Sequence, residues 1–235
     1  RELPDVREYG APRDGVRQVL DRRLFVQLLA FTDCLDPQAL VEPLRQSGVE
    51  AVGYLDVNDP RGVAFLFPSE DPAVLTDRVR SLLPRAPFSV LRPRPELTMI
   101  GRTYSIGHEA DLEDWLLRKP RRNLAMADFP WHVWYPLRRK GEFERLSKEE
   151  QRPILMEHAK LGMAYGTAEL AHDIRLACHG LDAHDNEFVL GLLARELHSI
   201  SRLVQDMRRT QQTARYIKSM GPFFVGRVYC RVNAT

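Results

Sequence analysis

The apolar positions of the chain form short runs of two kinds. Residues 24–31 and 49–54 are dense apolar runs bounded by polar turns, as in half-buried or buried strands. Residues 74–83 and 197–207 instead repeat their apolar positions every three or four residues, as in helices that pack one face against a core. The pattern therefore predicts a chain that mixes helices and strands.

The two halves of the chain repeat the same order of predicted elements. Residues 55–67 read LDVNDPRGVAFLF and residues 181–193 read LDAHDNEFVLGLL, so each half has a polar turn that leads into an apolar strand. A strand and a helix precede each turn, and a helix and a strand follow it. Each half is thus predicted as β-α-β-β-α-β, the order of a ferredoxin-like unit.

Two ferredoxin-like units predict an α+β fold with two layers of sheet. The bare faces of the two sheets are expected to pack against each other with the helices outside, as in a dimeric α+β barrel. We place the N-terminal unit at residues 1–106 and the C-terminal unit at residues 131–235. Residues 107–130 are rich in arginine and have no sustained apolar period, which predicts a partly mobile linker loop.

Composition and charge exclude several classes of protein. The chain has 44% hydrophobic residues and a formal net charge of +2, so neither a disordered chain nor a nucleic-acid partner is expected. No apolar run approaches the roughly 18 residues of a membrane span, and the opening residues lack the apolar centre of a secretory signal. Three scattered cysteines, Cys34, Cys178 and Cys230, are more typical of free thiols than of disulfides. We therefore expect a cytoplasmic protein.

His158 is the first candidate functional residue. A capping box at Ser147 starts the long helix that carries it, and Pro153 is expected either to bend that helix or to start a new segment. Beyond the proline, His158 lies on one helical stripe with Ile154 and Leu161. We expect this stripe to face the chamber between the two sheets. A histidine there is either a core residue bonded to the backbone or an axial metal ligand, and the spacing leaves both readings open.

A second candidate lies at the end of the aromatic strand WHVWYPL. Strand alternation places Tyr135 on the face of Val133 and Leu137, opposite Trp134. The three bases of residues 138–140 follow directly. At the mouth of a barrel they would bind carboxylates or phosphates, unless they form an ordinary solvated run of charge.

The C-terminal half resembles the chlorite dismutase family, whose members include the peroxide-dependent coproheme decarboxylases of bacterial haem synthesis. The resemblance rests on YPLRR, MEHAKLGMAYG, LDAHDNEFVLGLL, DMRRTQQTARY and MGPFFVGR within residues 135–227. It implies a bound Fe-coproporphyrin III or haem b, hydrogen peroxide as the second substrate, a ferrochelatase as the upstream supplier, and a homopentamer. It also implies that His158 is the axial ligand of the iron.

The resemblance assigns roles to further residues. Tyr135 matches the tyrosine that becomes a hydrogen-abstracting radical in the decarboxylases, and Arg139 resembles the base that holds a propionate beside it. Tyr104 resembles a tyrosine near the substrate. The remaining propionates need cationic donors, for which the candidates are Arg121, Arg122, Arg208 and Arg215.

The chain departs from the family pattern in two places. Chlorite dismutases have a distal arginine about 13 residues after the proximal histidine, where this chain reads Ala171 to Asp173, so oxygen formation from chlorite is expected to be poor. The distal donor would then be Arg118 or His172. Many relatives have a glutamate bonded to the proximal imidazole where this chain has Gln211, which implies a weaker electronic push to the iron.

The sequence thus predicts a haem-dependent oxidoreductase. The activity that the resemblance implies is oxidative decarboxylation of two propionates of Fe-coproporphyrin III to give haem b. A chlorite dismutase is the alternative within the same family, and a non-catalytic haem-binding or carrier protein is the alternative outside enzymes.

Overall fold

The computed structural model describes residues 3–233. The strands are β1 (Glu8–Arg13), β2 (Val16–Leu20), β3 (Phe25–Thr32), β4 (Ala51–Asp56), β5 (Val63–Ser69), β6 (Arg92–Pro93), β7 (Met99–Arg102), β8 (Trp131–Arg139), β9 (His172–Ala177), β10 (Phe188–Ala194), β11 (Ile217–Met220) and β12 (Phe224–Val232). The α-helices are α1 (Val41–Gln46), α2 (Arg80–Leu82), α3 (Lys119–Ala125), α4 (Gly141–Arg145), α5 (Lys148–Thr167) and α6 (Leu197–Met207). The cysteines are free thiols, and no helix within the described range is long and apolar enough to cross a membrane.

Eight antiparallel strands close into a barrel. Going round the ring, β7, β3, β5 and β4 come from the N-terminal half, and β12, β8, β10 and β9 come from the C-terminal half. The halves join where β4 pairs with β12 and where β7 pairs with β9. The predicted α+β class is confirmed. The two halves nevertheless form one sheet closed on itself, because their edge strands pair with each other, which is how a barrel removes free edges.

Side chains fill the interior of the barrel. Twenty-two buried residues cluster there, with Tyr54 and Trp134 fully buried among them. The indole of Trp134 lies against Gly191 of the neighbouring strand β10, where a Cβ would lie 2.5 Å from its ring. The interior is therefore a side-chain core and not an open chamber. The expectation that His158 faces a chamber between the sheets is therefore wrong, because α5 lies outside the barrel.

The two outer faces of the barrel are covered to different extents. Over the N-terminal half, 15 residues are buried and eight more are partly buried. Over the C-terminal half, the cluster that joins the strands to α5 and α6 has only eight buried residues and twelve partly buried ones. The apolar face beneath α5 and α6 is thus only half covered. We call it the outer face below.

Residues 107–130 are not the loop that their composition suggested. A helical segment, Asp114–Arg118, continues into α3 and buries Leu116, Leu117 and Leu124 in the barrel core. These leucines recur at helical spacing on one side of the segment, while its arginines occupy the other side. The expectation of a mobile linker is wrong because one apolar side is enough to bind a helix to a core.

Helix α5 is continuous but is loosely attached to the rest of the molecule. Ser147 and Glu150 form the predicted capping box. Pro153 lies inside the helix without ending it, so no new helical segment begins there. Of the 20 residues of α5, Ile154 alone is buried. Helix α5 therefore packs only loosely on this outer face, several of whose apolar residues stay partly exposed.

Three polar side chains inside the barrel form a hydrogen-bonded chain. The Nε1–H of Trp134 donates to the Tyr54 hydroxyl at 3.3 Å, and that hydroxyl lies 2.8 Å from Nδ1 of His132. Nε2 of His132 lies 3.1 Å from the carbonyl oxygen of Phe129. A carbonyl only accepts, so Nε2 carries the ring proton and Nδ1 accepts from Tyr54. Burial lowers the pKa of His132 to about 3.

We expect His132 to make the protein less stable in mild acid. An unfolded histidine gains a proton near pH 6.5, whereas folded His132 stays neutral to about pH 3. Between these values the unfolded state binds one proton more, so through this residue the free energy of unfolding falls by up to about 1.4 kcal/mol for each pH unit below pH 6.5. Urea unfolding at several pH values tests this, with His132→Gln as the control that lacks the titrating ring. A variant with the same acid dependence as the wild type would contradict it.

Candidate functional site

The outer face brings together side chains from three neighbouring strands. Leu190 on β10 lies directly opposite Tyr135 on β8 and Arg175 on β9, so the three residues form one row across the sheet. Tyr135 belongs to the outer apolar cluster, whereas the adjacent Trp134 belongs to the barrel core. The alternation predicted from the sequence is thus confirmed. The outer face, rather than the barrel interior, is the place for a site.

Tyr135 is a buried phenol at the centre of this face. Its side chain is 7% exposed, and its ring stacks on Phe223 with the ring centres 4.5 Å apart. Burial raises the pKa of Tyr135, the Asp173 carboxylate raises it further, and the charge of Arg208 opposes them. The phenol therefore keeps its proton at neutral pH.

His158 presents one free nitrogen. Its Nδ1 lies 3.5 Å from Oγ1 of Thr210, at the long end of hydrogen-bond distances, and that hydroxyl gives its own proton to the carbonyl of Met207 at 2.7 Å. Thr210 can therefore only accept from the ring, which places the ring proton on Nδ1 and leaves the lone pair of Nε2 free. Burial lowers the pKa of His158, and the charge of Arg175 lowers it further. The neutral imidazole that results is the form that binds metals.

The residue that contacts the imidazole is Thr210 and not its neighbour Gln211. The backbone N–H of Gln211 binds the Glu157 carboxylate at 2.9 Å, and its side chain is exposed. Sequence comparison pointed to position 211, but the turn after α6 directs the preceding hydroxyl toward His158. The imidazole thus has a neutral acceptor, which gives it less anionic character than a carboxylate would.

Tyr104 and Arg139 meet at one end of the outer face. The ring centre of Tyr104 lies 5.8 Å from that of Phe188, and the guanidinium of Arg139 lies 4.9 Å from the same ring. Burial raises the pKa of Tyr104. Arg139 is already paired with Glu144 at 2.7 Å and lies 3.6 Å from Glu187, and its buried Nε has no hydrogen-bond partner. The charge of Arg139 is therefore already neutralised by carboxylates of the protein, and what the residue can offer a ligand is one N–H without a hydrogen-bond partner.

Arg121 does not belong to this face. Its Nε lies 2.9 Å from Glu50 of the N-terminal half, and the next residue, Arg122, pairs with Asp114 at 2.8 Å. Helix α3 thus uses its arginines for ion pairs within the fold. Of the other arginines considered for carboxylate binding, Arg208 and Arg215 are both exposed, and the charge of Arg208 acts on Tyr135.

Neither predicted distal donor points to the outer face. Arg118 pairs with Asp111, Glu113 and Asp114. The ring centre of His172 lies 5.0 Å from that of Phe129, on the interior side of β9. The residue that sequence reasoning missed is Arg175, 17 residues after His158. Its guanidinium pairs with Asp173 at 3.0 Å. The alternation of β9, with Ile174 buried, would have placed Arg175 on the outer face.

The donors on this face fit an iron porphyrin that carries carboxylates. A half-covered apolar surface suits a large flat ligand, and the neutral His158 offers a single axial nitrogen, as a haem iron requires. Arg175 and Arg208 supply positive charge at its edges. An α+β barrel with this site has the form of a haem protein.

Comparison with known proteins identifies the family. A chlorite dismutase family model matches residues 99–229, and the chain belongs to that family. A haem-binding protein from Thermus thermophilus is 19% identical, with a TM-score of 0.68, and the match covers 98% of this chain and 96% of that one. A chlorite dismutase from Candidatus Nitrospira defluvii in complex with imidazole is 14% identical, with a TM-score of 0.69, over 90% of this chain and 93% of that one. Among curated proteins no significant match is found.

Proposed function

We propose that the protein is a coproheme decarboxylase that binds Fe-coproporphyrin III between α5 and the outer face and converts it to haem b with hydrogen peroxide. The observation that supports this most is that a metal-binding imidazole and a buried phenol serve the same half-covered surface. Asp173 lies close enough to act on the pKa of both His158 and Tyr135. The two side chains therefore share one local environment.

The proposed roles of the chain divide between binding and chemistry. Nε2 of His158 holds the iron, and Thr210 fixes the orientation of the ring through Nδ1. Arg208, Arg175 and the unsatisfied Nε of Arg139 hold propionates. When bound, the iron supplies the reaction with peroxide and hence the oxidising power.

Tyr135 carries the hydrogen transfer in this proposal. Because its pKa is raised, the phenol retains the O–H bond that it must break. Once Tyr135 has lost a hydrogen atom, its oxygen takes another from the β-carbon of a propionate. Loss of one more electron and of carbon dioxide then leaves a vinyl group. Each decarboxylation consumes one peroxide and one proton and releases one carbon dioxide and two waters, and two of them give haem b.

The resemblance to the family extends the proposal beyond the site. We propose that the enzyme acts in haem biosynthesis in the cytoplasm, as a homopentamer, and that a ferrochelatase supplies its substrate. Native mass spectrometry of the loaded protein tests the oligomeric state.

Arg175 favours a second candidate function, that of a chlorite dismutase. A guanidinium on the outer face, whose charge acts on His158, could hold hypochlorite beside the iron as a distal arginine does. The guanidinium of Arg175 pairs with Asp173 and lies 5.2 Å from the ring of Trp115, so it is turned toward the helical segment Asp114–Arg118. This orientation favours decarboxylation over the chlorite reaction. Oxygen release from the haem-loaded protein on addition of chlorite would favour this second function.

Mass spectrometry of the porphyrin after addition of peroxide to the coproheme-loaded protein tests the proposal. We expect successive species in which one and then two propionates have become vinyl groups. Oxidative destruction of the porphyrin without these species would contradict it, and so would an unchanged porphyrin.

Replacement of Thr210 is expected to weaken iron binding. Thr210→Val keeps the shape of the side chain but removes the acceptor of Nδ1, and loss of such a partner typically costs about 10- to 100-fold in metal affinity. Gln211→Ala is the matched control, since the Gln211 side chain is exposed. Titration of both variants with Fe-coproporphyrin III measures the effect. Equal affinities for Thr210→Val and the wild type, or a larger loss in Gln211→Ala, would contradict the assignment.

A further inference from the structure

The hydrogen-bonded chain inside the barrel begins directly behind Tyr135. Trp134 and Tyr135 are consecutive on β8, so their rings lie on opposite faces of the same strand. Trp134 donates to Tyr54, and Tyr54 donates to His132. All three are fully buried, and the proposed function uses none of them.

Tyr54 is prepared to lose an electron and a proton together. A phenol that loses an electron becomes a very strong acid, so its oxidation is easy only where a base can take the proton at once. The proton of Tyr54 already lies in a hydrogen bond of 2.8 Å to an unprotonated nitrogen, since the Nε2–H of His132 is committed to the Phe129 carbonyl.

Tyr229 provides the contrast within the same molecule. Its hydroxyl is also buried, but no nitrogen or oxygen lies within hydrogen-bond distance of it. Burial raises the pKa of Tyr229, as it does for Tyr54. Tyr54 therefore has an imidazole base beside its hydroxyl, whereas the side chain next to Tyr229 is the Cys230 thiol, a weak acceptor.

We propose that Tyr54 and His132 form a second redox site, in which an oxidised Tyr135 takes an electron from Tyr54 through Trp134 and the proton of Tyr54 passes to Nδ1 of His132. The transferred electron turns Tyr135 into a phenolate, which takes up one proton from the bulk solvent at the outer face, while the proton of Tyr54 stays on His132. One electron thus moves from Tyr54 to Tyr135, and the hole moves into the barrel. The inference rests on the proposed function, which supplies the oxidised Tyr135.

The surroundings of His132 make this transfer reversible. Burial and the charge of Arg231, whose guanidinium binds the carbonyl oxygens of Leu124 and Met126 at 2.6 and 2.9 Å, both oppose a second proton on the ring. The proton therefore returns to Tyr54 when the electron does. When peroxide reacts and no propionate lies beside Tyr135, such a site would hold the oxidising equivalent inside the barrel. There it is separated from solvent and from the outer face.

Electron paramagnetic resonance with 3,5-difluorotyrosine at position 54 tests the inference, because fluorine hyperfine splitting identifies a radical at that ring. In one arm, the coproheme-loaded protein is mixed with peroxide and frozen rapidly. In the other arm, the protein without porphyrin is oxidised by a photogenerated ruthenium(III) polypyridyl complex. The matched control carries the same label at position 229. A further control is His132→Gln with the label at position 54.

We expect fluorine splitting from position 54 in both arms, its loss in His132→Gln, and none from position 229. Absence of splitting from position 54 in the porphyrin-free arm would overturn the inference, whatever the loaded protein does. Splitting in the porphyrin-free arm alone, with porphyrin bound in the other, would overturn the route through Tyr135. If no porphyrin binds, the proposed function fails, and the porphyrin-free arm still decides whether Tyr54 and His132 are a redox pair.

Discussion

His158→Ala is expected to abolish tight binding of Fe-coproporphyrin III. His158 is the residue of the outer face with a free, unprotonated ring nitrogen, and its pKa is lowered by burial, so it competes well with protons for a metal. Even partners of a ligating histidine contribute 10- to 100-fold in affinity, so loss of the ligand itself should cost more than about 100-fold. An absorbance titration, with the axial-ligand spectrum recorded at saturation, measures the loss.

The matched control for this variant is His172→Ala. His172 lies 14 residues further along but packs against Phe129 on the interior side of β9. Its removal should leave porphyrin affinity and the spectrum unchanged. An unchanged spectrum in His158→Ala, or loss of binding in His172→Ala alone, would mean that the iron lies elsewhere.

Tyr135→Phe is expected to separate binding from reaction. Phenylalanine can keep the stacking on Phe223, so the outer face should still take up the porphyrin. Removal of the hydroxyl takes away the group proposed to accept hydrogen from the propionate, and we expect vinyl products to form at least about 100-fold more slowly, by analogy with the lower end of what a positioned proton-transfer group contributes. Mass spectrometry of the porphyrin over time, beside the affinity, gives both quantities.

Tyr165→Phe is the matched control for Tyr135→Phe. Tyr165 belongs to the same apolar cluster, but its hydroxyl bonds to Asp206 at 2.8 Å on the side of α6. Its loss should leave the rate of vinyl formation unchanged. Normal turnover by Tyr135→Phe would remove this residue from the mechanism and favour the reading of the protein as a haem carrier with a core tyrosine.

Local periodicity was sufficient to predict the elements and the side on which neighbouring residues lie. Tyr135 and Trp134 had to face opposite sides of β8, and His158 had to share a stripe with Ile154, because both statements follow from the geometry of one element. The capping box at Ser147 is local in the same sense. Such features need no knowledge of the remaining chain.

Which side of the sheet is the barrel interior could not be read from one strand. The interior is defined by the pairing of β4 with β12 and of β7 with β9. The two strands of each pair are far apart in the sequence. Both faces of β8 are apolar, so hydrophobicity does not distinguish the packed core from the half-covered outer face. For this reason the sequence placed the site on the wrong side.

The many arginines of residues 107–130 suggested a loop, although the spacing of the leucines in the same segment is that of a helix. Leu116 and Leu124 bury the side of that helix that the arginines leave free. Similarly, the family spacing after His158 indicates residues 171–173 and not Arg175, and the resemblance indicates Gln211 and not its neighbour Thr210. In each case the fold, and not residue type, decides which neighbour faces the site.

The crystal structure of the protein loaded with Fe-coproporphyrin III tests the central claim most directly. The account predicts a porphyrin between α5 and the outer face, with iron bound to Nε2 of His158, the other ring nitrogen on Thr210, and a propionate beside the Tyr135 hydroxyl. A porphyrin in any other place, or an iron bound by a residue other than His158, would contradict it.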